Sequence, residues 1–513
     1  MNLLKVPVHP LLVAAYPVVF LFAENIDQQV SAGPLWAPLA LALGLAVLLL
    51  AAFFALWRDA RRAALAASLL VALFFTYGHV QQAVGGVLPS PWPLVAVWGL
   101  LGVAAIALLA RGGAWIGSAT GFLNVASALV VCFSAAVILG HLLRPFPPLE
   151  TGGLAAGTPG ERPPDIYYLV PDRYAGAEAL RRYYGYDNAA FLDALAARGF
   201  YVPADSHANY PRTGPSLLSA MSMDYLDAAA LRAEQSEGGD ESPINRRLAG
   251  PLPVQRFLKE AGYRYIHLGN VWEPTRTNVD ADVVIAHEAG SEFGALLGRT
   301  TLLAPLLPAP YDPEHPWDDL AVRRQTLATL DRLAETADAP SPRFVFAHLL
   351  LPHPPYVFNA DGSLPTEEER RRRGETASYV EQLEYTNARL LELIDRLLED
   401  PDPPVIIIQA DEGPWPDRFR ESGAGFDWRE ATDDELEEKF SILSAFHLPG
   451  ADPEEAGLHR SITPVNTFRV VLNAYFGTDL ALRPDRVYAH TSYRRFLELF
   501  EITDRLSGRQ AGP

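Results

Sequence analysis

Five apolar runs, at residues 8–24, 35–57, 64–84, 94–110 and 119–143, decide what the first part of this chain can become. Most approach the ~20 residues that carry a helix across a hydrocarbon core of ~30 Å. Within lipid, a helix is also the only open-ended way to satisfy every backbone N–H and C=O. The first run is the shortest. A cleaved leader describes it poorly, because four further runs follow and no small-residue cleavage site stands after Phe22.

Lysine and arginine give the orientation. Lys5 precedes the first run, Arg58, Arg61 and Arg62 separate the second from the third, and Arg111 separates the fourth from the fifth. Basic loops stay in the cytoplasm. The alternate loops, AENIDQQVSAG and GGVLPSPWP, carry neither residue. Five spans with a cytoplasmic N-terminus therefore predict a multi-pass protein of the cell membrane whose C-terminal domain is extracytoplasmic. Transport is disfavoured, because the runs hold almost no buried ionisable group and only His79, Gln81, Gln82 and His141 as polar exceptions. An anchor or lipid-access role is expected instead.

The 513 residues exceed what one core usually serves, and the division falls near residue 150. Up to that point six basic and four acidic side chains leave +2, so the remainder carries −21 of the overall −19. Such a field repels nucleic acid, which is excluded as a partner. The single cysteine, Cys132, lies in an apolar run, leaving no disulfide and no cysteine nucleophile outside the membrane.

Residues 144–164 are rich in proline and glycine and read as a linker between a transmembrane domain over 1–143 and a second domain over 165–513. Beyond it, strand-like runs at 166–170, 263–269, 343–350, 405–410 and 440–448 alternate with helical patterns at 319–337 and 380–398. Several strands are apolar on both faces. That pattern predicts an α/β domain with a mostly parallel central sheet. Two stretches, 233–247 and the Pro-rich 304–316, read as surface insertions.

Ligands of open α/β sheets bind beyond the carboxyl ends of strands. Asp172 follows the first strand-like run, and Asp411 and Glu412 follow VIIIQA. Either carboxylate alone is ordinary turn or cap chemistry. Two on neighbouring strands can hold a hard cation. In NYPRTGPSLLSAM, Thr213 opens a short helical stretch, where it or Ser216 is a cap or where Thr213 is a hydroxyl nucleophile facing an anionic phosphoryl group. Histidines near an aromatic loop, such as His348 and His353 in FAHLLLPHPPY, are more often structural than catalytic, yet they sit at a strand end, where substrate-binding histidines are expected. His267, Trp272 and Thr275 are candidates to line the same pocket, and core packing accounts for them almost as well.

Read in order, PDIYYLVPDRYAG, SHANYPRTGPSLLSAM, FAHLLLPHPPYVF, IIIQADEGP and KFSILSAFHLPG resemble membrane-anchored, sulfatase-like members of the alkaline phosphatase superfamily, similar to lipoteichoic acid synthases and phosphoethanolamine transferases. The resemblance implies Asp172 and Asp411 as metal ligands, Thr213 as nucleophile and ligand, and His353 as a substrate contact. Glu412 stands where the family's histidine ligand does. Arg212 joins the histidines in the expected substrate-contacting set. Thr213-Gly214-Pro215-Ser216-Leu217 occupies the sulfatase nucleophile motif, yet threonine yields no formylglycine and Leu217 replaces the supporting arginine.

The resemblance thus implies phosphoester transfer or hydrolysis on a membrane lipid or envelope glycopolymer through a Thr213 phospho-enzyme. Glutamate for histidine hardens the site toward Mg²⁺, Mn²⁺ or Ca²⁺ over Zn²⁺. Mn²⁺ or Mg²⁺ is the expected cofactor, with Ca²⁺ and Zn²⁺ as the remaining options. The same replacement also suits a degenerate metal site, which leaves a non-catalytic envelope scaffold or binding protein as the alternative.

Overall fold

The computed structural model describes residues 6–85, 90–144, 146, 163–235, 241–286, 292–307 and 319–507. Its contacts divide the chain into two compact units, Met1–Pro145 with Gly290–Asp318, and Phe146–Ala289 with Asp319–Pro513. Most of the Pro/Gly linker lies outside the described residues, as do 236–240 and 308–316 of the two expected insertions.

The first unit is built on α1 (His9–Glu24), α2 (Gly33–Trp57), α3 (Ala60–Val84), α4 (Trp92–Arg111) and α5 (Trp115–Leu142). Four of these, α2 to α5, are long and apolar enough to cross a membrane. With 16 residues, α1 is ~24 Å long and falls short of a ~30 Å core. The few polar side chains are used locally. Asn124 Oδ1 accepts from the amides of Val8 and His9 at 3.1 and 2.9 Å, capping α1 from α5. Asp59 caps α3 by accepting from the amides of Arg61 and Arg62.

The sequence places residues 292–307 beyond the linker, yet they pack in this unit. The inserted helix Glu292–Thr300 buries Phe293 and Leu297 among Ala14, Val18 and Phe22 of α1. A short 3₁₀ turn, Ala304–Leu306, follows it.

The second unit centres on a six-stranded sheet. In chain order its main elements are β1 (Ile166–Pro171), α6 (Thr213–Ser222), β2 (Arg264–Leu268), β3 (Val283–Ile285), α7 (Asp319–Glu335), β4 (Arg343–Leu349), α8 (Glu367–Leu397), β5 (Val405–Gln409), α9 (Asp433–Phe440), β6 (Ser444–His447) and α10 (Thr467–Phe476). A separate antiparallel pair is formed by β7 (Tyr488–His490) and β8 (Leu499–Glu501).

The sheet order is β3-β2-β4-β1-β5-β6, parallel throughout except for the antiparallel edge strand β6. All residues of β1, β4 and β5 are buried, because helices cover both faces. Tyr168, Phe344, Ile407 and Phe468 share one core cluster with Leu217 and Met221 of α6. At the opposite end from the site, Asp165 pairs with Arg343 at 2.9 Å and accepts from its amide, tying β1 to β4.

Candidate metal centre

Three adjacent parallel strands, β4, β1 and β5, deliver one polar side chain each at their carboxyl ends. Asp172 follows β1, His348 is the penultimate residue of β4, and Asp411 lies two residues beyond β5. The register pairs Val170 with His348, and the Asp172 amide donates to the Leu349 carbonyl at 2.9 Å. As a result, one ligand atom from each of Asp172, His348 and Asp411 lies within 4.8 Å of the other two, all three residues being buried.

This group fits a divalent cation. His348 Nε2 is 3.3 Å from Asp172 Oδ2. Asp172 Oδ1, Asp411 Oδ2 and Glu412 Oε2 are buried with no hydrogen bond of normal geometry. Orphaned carboxylate oxygens inside a protein cost free energy unless a cation meets them. The electrostatics point the same way. Burial pushes Asp411 well above the usual carboxylate range, and the neighbouring Asp172 and Glu412 push it further. Burial also raises Asp172, but His353, His348 and Arg173 outweigh it and hold that carboxyl below the usual range.

Glu412 stands beside the trio rather than in it. Its Oε1 accepts from Arg173 Nε at 3.1 Å and from Lys439 Nζ at 3.0 Å. Arg173 reaches it because its own backbone is left-handed, at φ 60°, directly after Asp172. Lys439, in the last turn of α9, is fully buried, lies 3.5 Å over the Trp415 ring and donates to the Gly413 carbonyl. Burial brings its pKa down to about 8 despite Glu412. The glycine of Asp411-Glu412-Gly413 has a packing cause, since a Cβ there would lie 2.6 Å from the Glu438 carbonyl oxygen and 2.7 Å from that of Lys439.

His348 was expected to touch substrate, and the fold groups it with the carboxylates. Its Nδ1 is 3.0 Å from the Thr275 hydroxyl, which in turn donates to Asn270 Oδ1 at 3.2 Å. Asn270 Nδ2 donates to the His348 carbonyl at 2.9 Å. Asn270 Nδ2 also lies 3.0 Å from His348 Nδ1, and these contacts together fix the ring with Nε2 turned toward Asp172. His267 belongs to the support of that relay. Its Nε2 donates to the Thr275 carbonyl and its Nδ1 accepts from Tyr265, both at 2.8 Å, and burial pushes its pKa down to about 4.

Thr213 is the first residue of the ten-residue α6, and its hydroxyl bonds the Asp411 carboxylate, which offsets only part of the rise that burial and the acidic neighbours impose. It makes no cap, and Ser216 makes none either, donating instead to the Tyr210 carbonyl at 2.9 Å. Arg212 pairs with Glu241 and stacks 4.1 Å from the Tyr493 ring. His353 is buried, bonds the Pro354 carbonyl through Nδ1 and acts on the charge of Asp172.

Sequence reasoning passed over Lys439 and His490. The ring of His490, at the end of β7, is buried with no hydrogen bond of normal geometry at either nitrogen. Burial first, then Arg212 and Lys439, keep it well below its ordinary pKa. A lysine immediately before an apolar strand run was the one legible signal for Lys439. His490 had none.

A buried Asp–His–Asp group that could hold a metal ion thus stands at the carboxyl ends of parallel strands, where ligands of α/β folds bind. The sulfatase family matches residues 179–440, half of the chain, and the chain belongs to that family. No curated protein sequence matches it. Among similar solved structures is the C-terminal periplasmic domain of EcEptC from Escherichia coli, 14% identical, covering 70% of this chain and 96% of that one, with a TM-score of 0.44. Another is the C-terminal periplasmic domain of phosphoethanolamine transferase EptC from Campylobacter jejuni (13% identity, 63% and 92% covered, TM-score 0.39). A third is the soluble domain of lipooligosaccharide phosphoethanolamine transferase A from Neisseria meningitidis (16%, 63% and 90%, 0.38).

Proposed function

We propose that this chain is a membrane-anchored, metal-dependent phosphoester transferase or hydrolase with Thr213 as its nucleophile. The observation that carries the reading is the buried Asp172–His348–Asp411 group with the Thr213 hydroxyl against Asp411. These residues, with Glu412 Oε2 adjoining, would hold a divalent cation. Two carboxylates and one imidazole suit Mn²⁺ well, with Mg²⁺, Ca²⁺ or Zn²⁺ as alternatives. When bound, the cation supplies charge to a phosphoryl oxygen and lowers the proton affinity of the threonine.

The chain's own residues supply the rest. Thr213 Oγ attacks phosphorus, the bond to the leaving oxygen breaks, and the proton lost from Thr213 ends on that oxygen. An acceptor hydroxyl or water then attacks the phosphothreonine and restores the threonine. The free N–H groups of the first turn of α6 favour the anionic group in both steps. Neutral His490, and Arg212 and His353 near the carboxylates, would line the acceptor side. A lipid headgroup or an envelope glycopolymer is the substrate class that suits a site tethered to membrane helices. The alternation of basic and non-basic loops supports an extracytoplasmic second unit if the 16-residue α1 crosses as a short fifth span beside the four long helices.

The pairing of Glu412 with Arg173 and Lys439 favours a second reading, a scaffold whose metal site has degenerated. Hydrolysis of bis-p-nitrophenyl phosphate by the full chain with Mn²⁺ or Mg²⁺ separates the two. The catalytic reading expects turnover that Thr213→Ala abolishes. Absence of turnover together with absence of metal binding would establish the scaffold.

A further inference from the structure

The first unit contains an apolar groove of about 740 Å³ between α2, α3 and α4, lined by residues such as Leu49, Phe74, Val95, Trp98 and Gly102 and bordered by Leu302 of the inserted segment. Along α4 it runs from Val95 to Ala110, ~22 Å at the rise of a helix. Its wall is overwhelmingly apolar, every described lining residue being aliphatic, aromatic or glycine. Two indoles line it: the N–H of Trp98 is already donated to the Leu73 carbonyl at 2.8 Å, and Trp57 stands at the end of α2. Gly99 and Gly102 keep α4 recessed, and a Cβ on Gly99 would meet nothing within 4 Å.

The segment that borders the groove is fitted to α3 through its backbone. Leu302 N donates to the Phe74 carbonyl at 2.8 Å. A Cβ on Gly78 would lie 1.9 Å from the Arg299 carbonyl oxygen, so only glycine admits the insert at this depth. Phe293 meets Phe22 edge-on at 5.1 Å. Yet Leu302, Leu303, Leu306 and Leu307 are left 36–68% exposed. Four bare leucines in six residues belong in lipid rather than water.

We propose that the groove holds one acyl chain of a membrane glycerolipid, with Leu302 as its stop. The three helices that form it are 20–25 residues long and carry the hydropathy of membrane spans, so hydrocarbon surrounds it. A peptide or sugar would bring polar groups that find no partner there. The groove is longer than the ~15 Å of one bilayer leaflet, which accommodates a full acyl chain. This site is independent of the catalytic reading.

Native mass spectrometry of the full chain, purified in detergent and exchanged into lipid-free detergent, tests it. One glycerolipid per chain is expected to persist in the wild type. Gly99→Phe, which projects into open space, is expected to reduce that retained fraction roughly tenfold. Leu302→Ala is expected to shorten retention without touching helix packing, while Leu108→Phe, on the exposed face of α4, leaves it unchanged. A wild type that keeps no lipid, or Gly99→Phe and Leu302→Ala proteins that keep as much as wild type, would overturn the proposal.

Discussion

The Thr275 hydroxyl stands 3.0 Å from Nδ1 of His348, which turns the opposite ring nitrogen to within 3.3 Å of Asp172. Removing that partner leaves Asn270 Nδ2, also 3.0 Å from Nδ1, to hold the ring there and loosens its orientation. Thr275→Val is predicted to weaken Mn²⁺ binding by ~10–100-fold, the usual consequence of losing a ligand's outer hydrogen bond. Thr275→Ser, which keeps the hydroxyl, should bind as wild type. Titration calorimetry on metal-free protein reads both, and equal affinity for the valine variant would remove Thr275 from this role.

Lys439 and Glu412 form a fully buried ion pair at 3.0 Å. Lys439→Met leaves Glu412 with Arg173 alone, and such losses cost ~3–5 kcal/mol. The double variant Lys439→Met/Glu412→Gln removes both charges and should recover much of the loss. Urea unfolding of the four proteins gives the coupling, and strict additivity would contradict it.

The close approach at Gly413 sets another expectation. A methyl group there meets two backbone carbonyls of α9 rather than yielding side chains. Gly413→Ala should therefore destabilise the protein by at least ~2 kcal/mol and disturb the adjacent Asp411. Thermal unfolding measures the first effect and metal titration the second.

Acid sensitivity follows from His267. Burial holds its pKa at about 4, against the ordinary 6.5 of a histidine. As pH falls through 6.5 the unfolded chain takes up a proton that the fold refuses until about pH 4, so stability is lost across that window, by up to ~3 kcal/mol from this group. Asp411, raised by burial and by its acidic neighbours, acts in the opposite sense without metal. His267→Gln at fixed metal should therefore show a flatter fall in unfolding free energy between pH 6.5 and 4.5 than wild type. Identical slopes would show that His267 titrates normally.

The parallel strands were readable because burial on both faces makes runs such as IYYLV and VIIIQ continuously apolar. The three-residue β3, β7 and β8 were not, being too short to carry a period. Asp172, Thr213 and Asp411 stood out because they follow strands or open a helix. Their convergence with His348 depends on β4 lying beside β1, which pairing register decides and local sequence does not. The inserted helix Glu292–Thr300 was invisible for a related reason. Its nine residues look like any amphipathic helix, and only the bare backbone of Gly78, more than two hundred residues earlier in the chain, admits it to the membrane helices.

If Thr213 is the nucleophile, a covalent intermediate accumulates on its Oγ before the acceptor attacks. The full chain is mixed with Mn²⁺ and a phosphodiester with a good leaving group, acid-quenched within one turnover, digested and sequenced by mass spectrometry. The expected result is a phosphodiester adduct on Thr213 that carries the substrate's retained ester group and disappears in Thr213→Ala and when the metal is chelated. Turnover at wild-type rate by Thr213→Ala, with no adduct on Thr213 in the wild type, would contradict it.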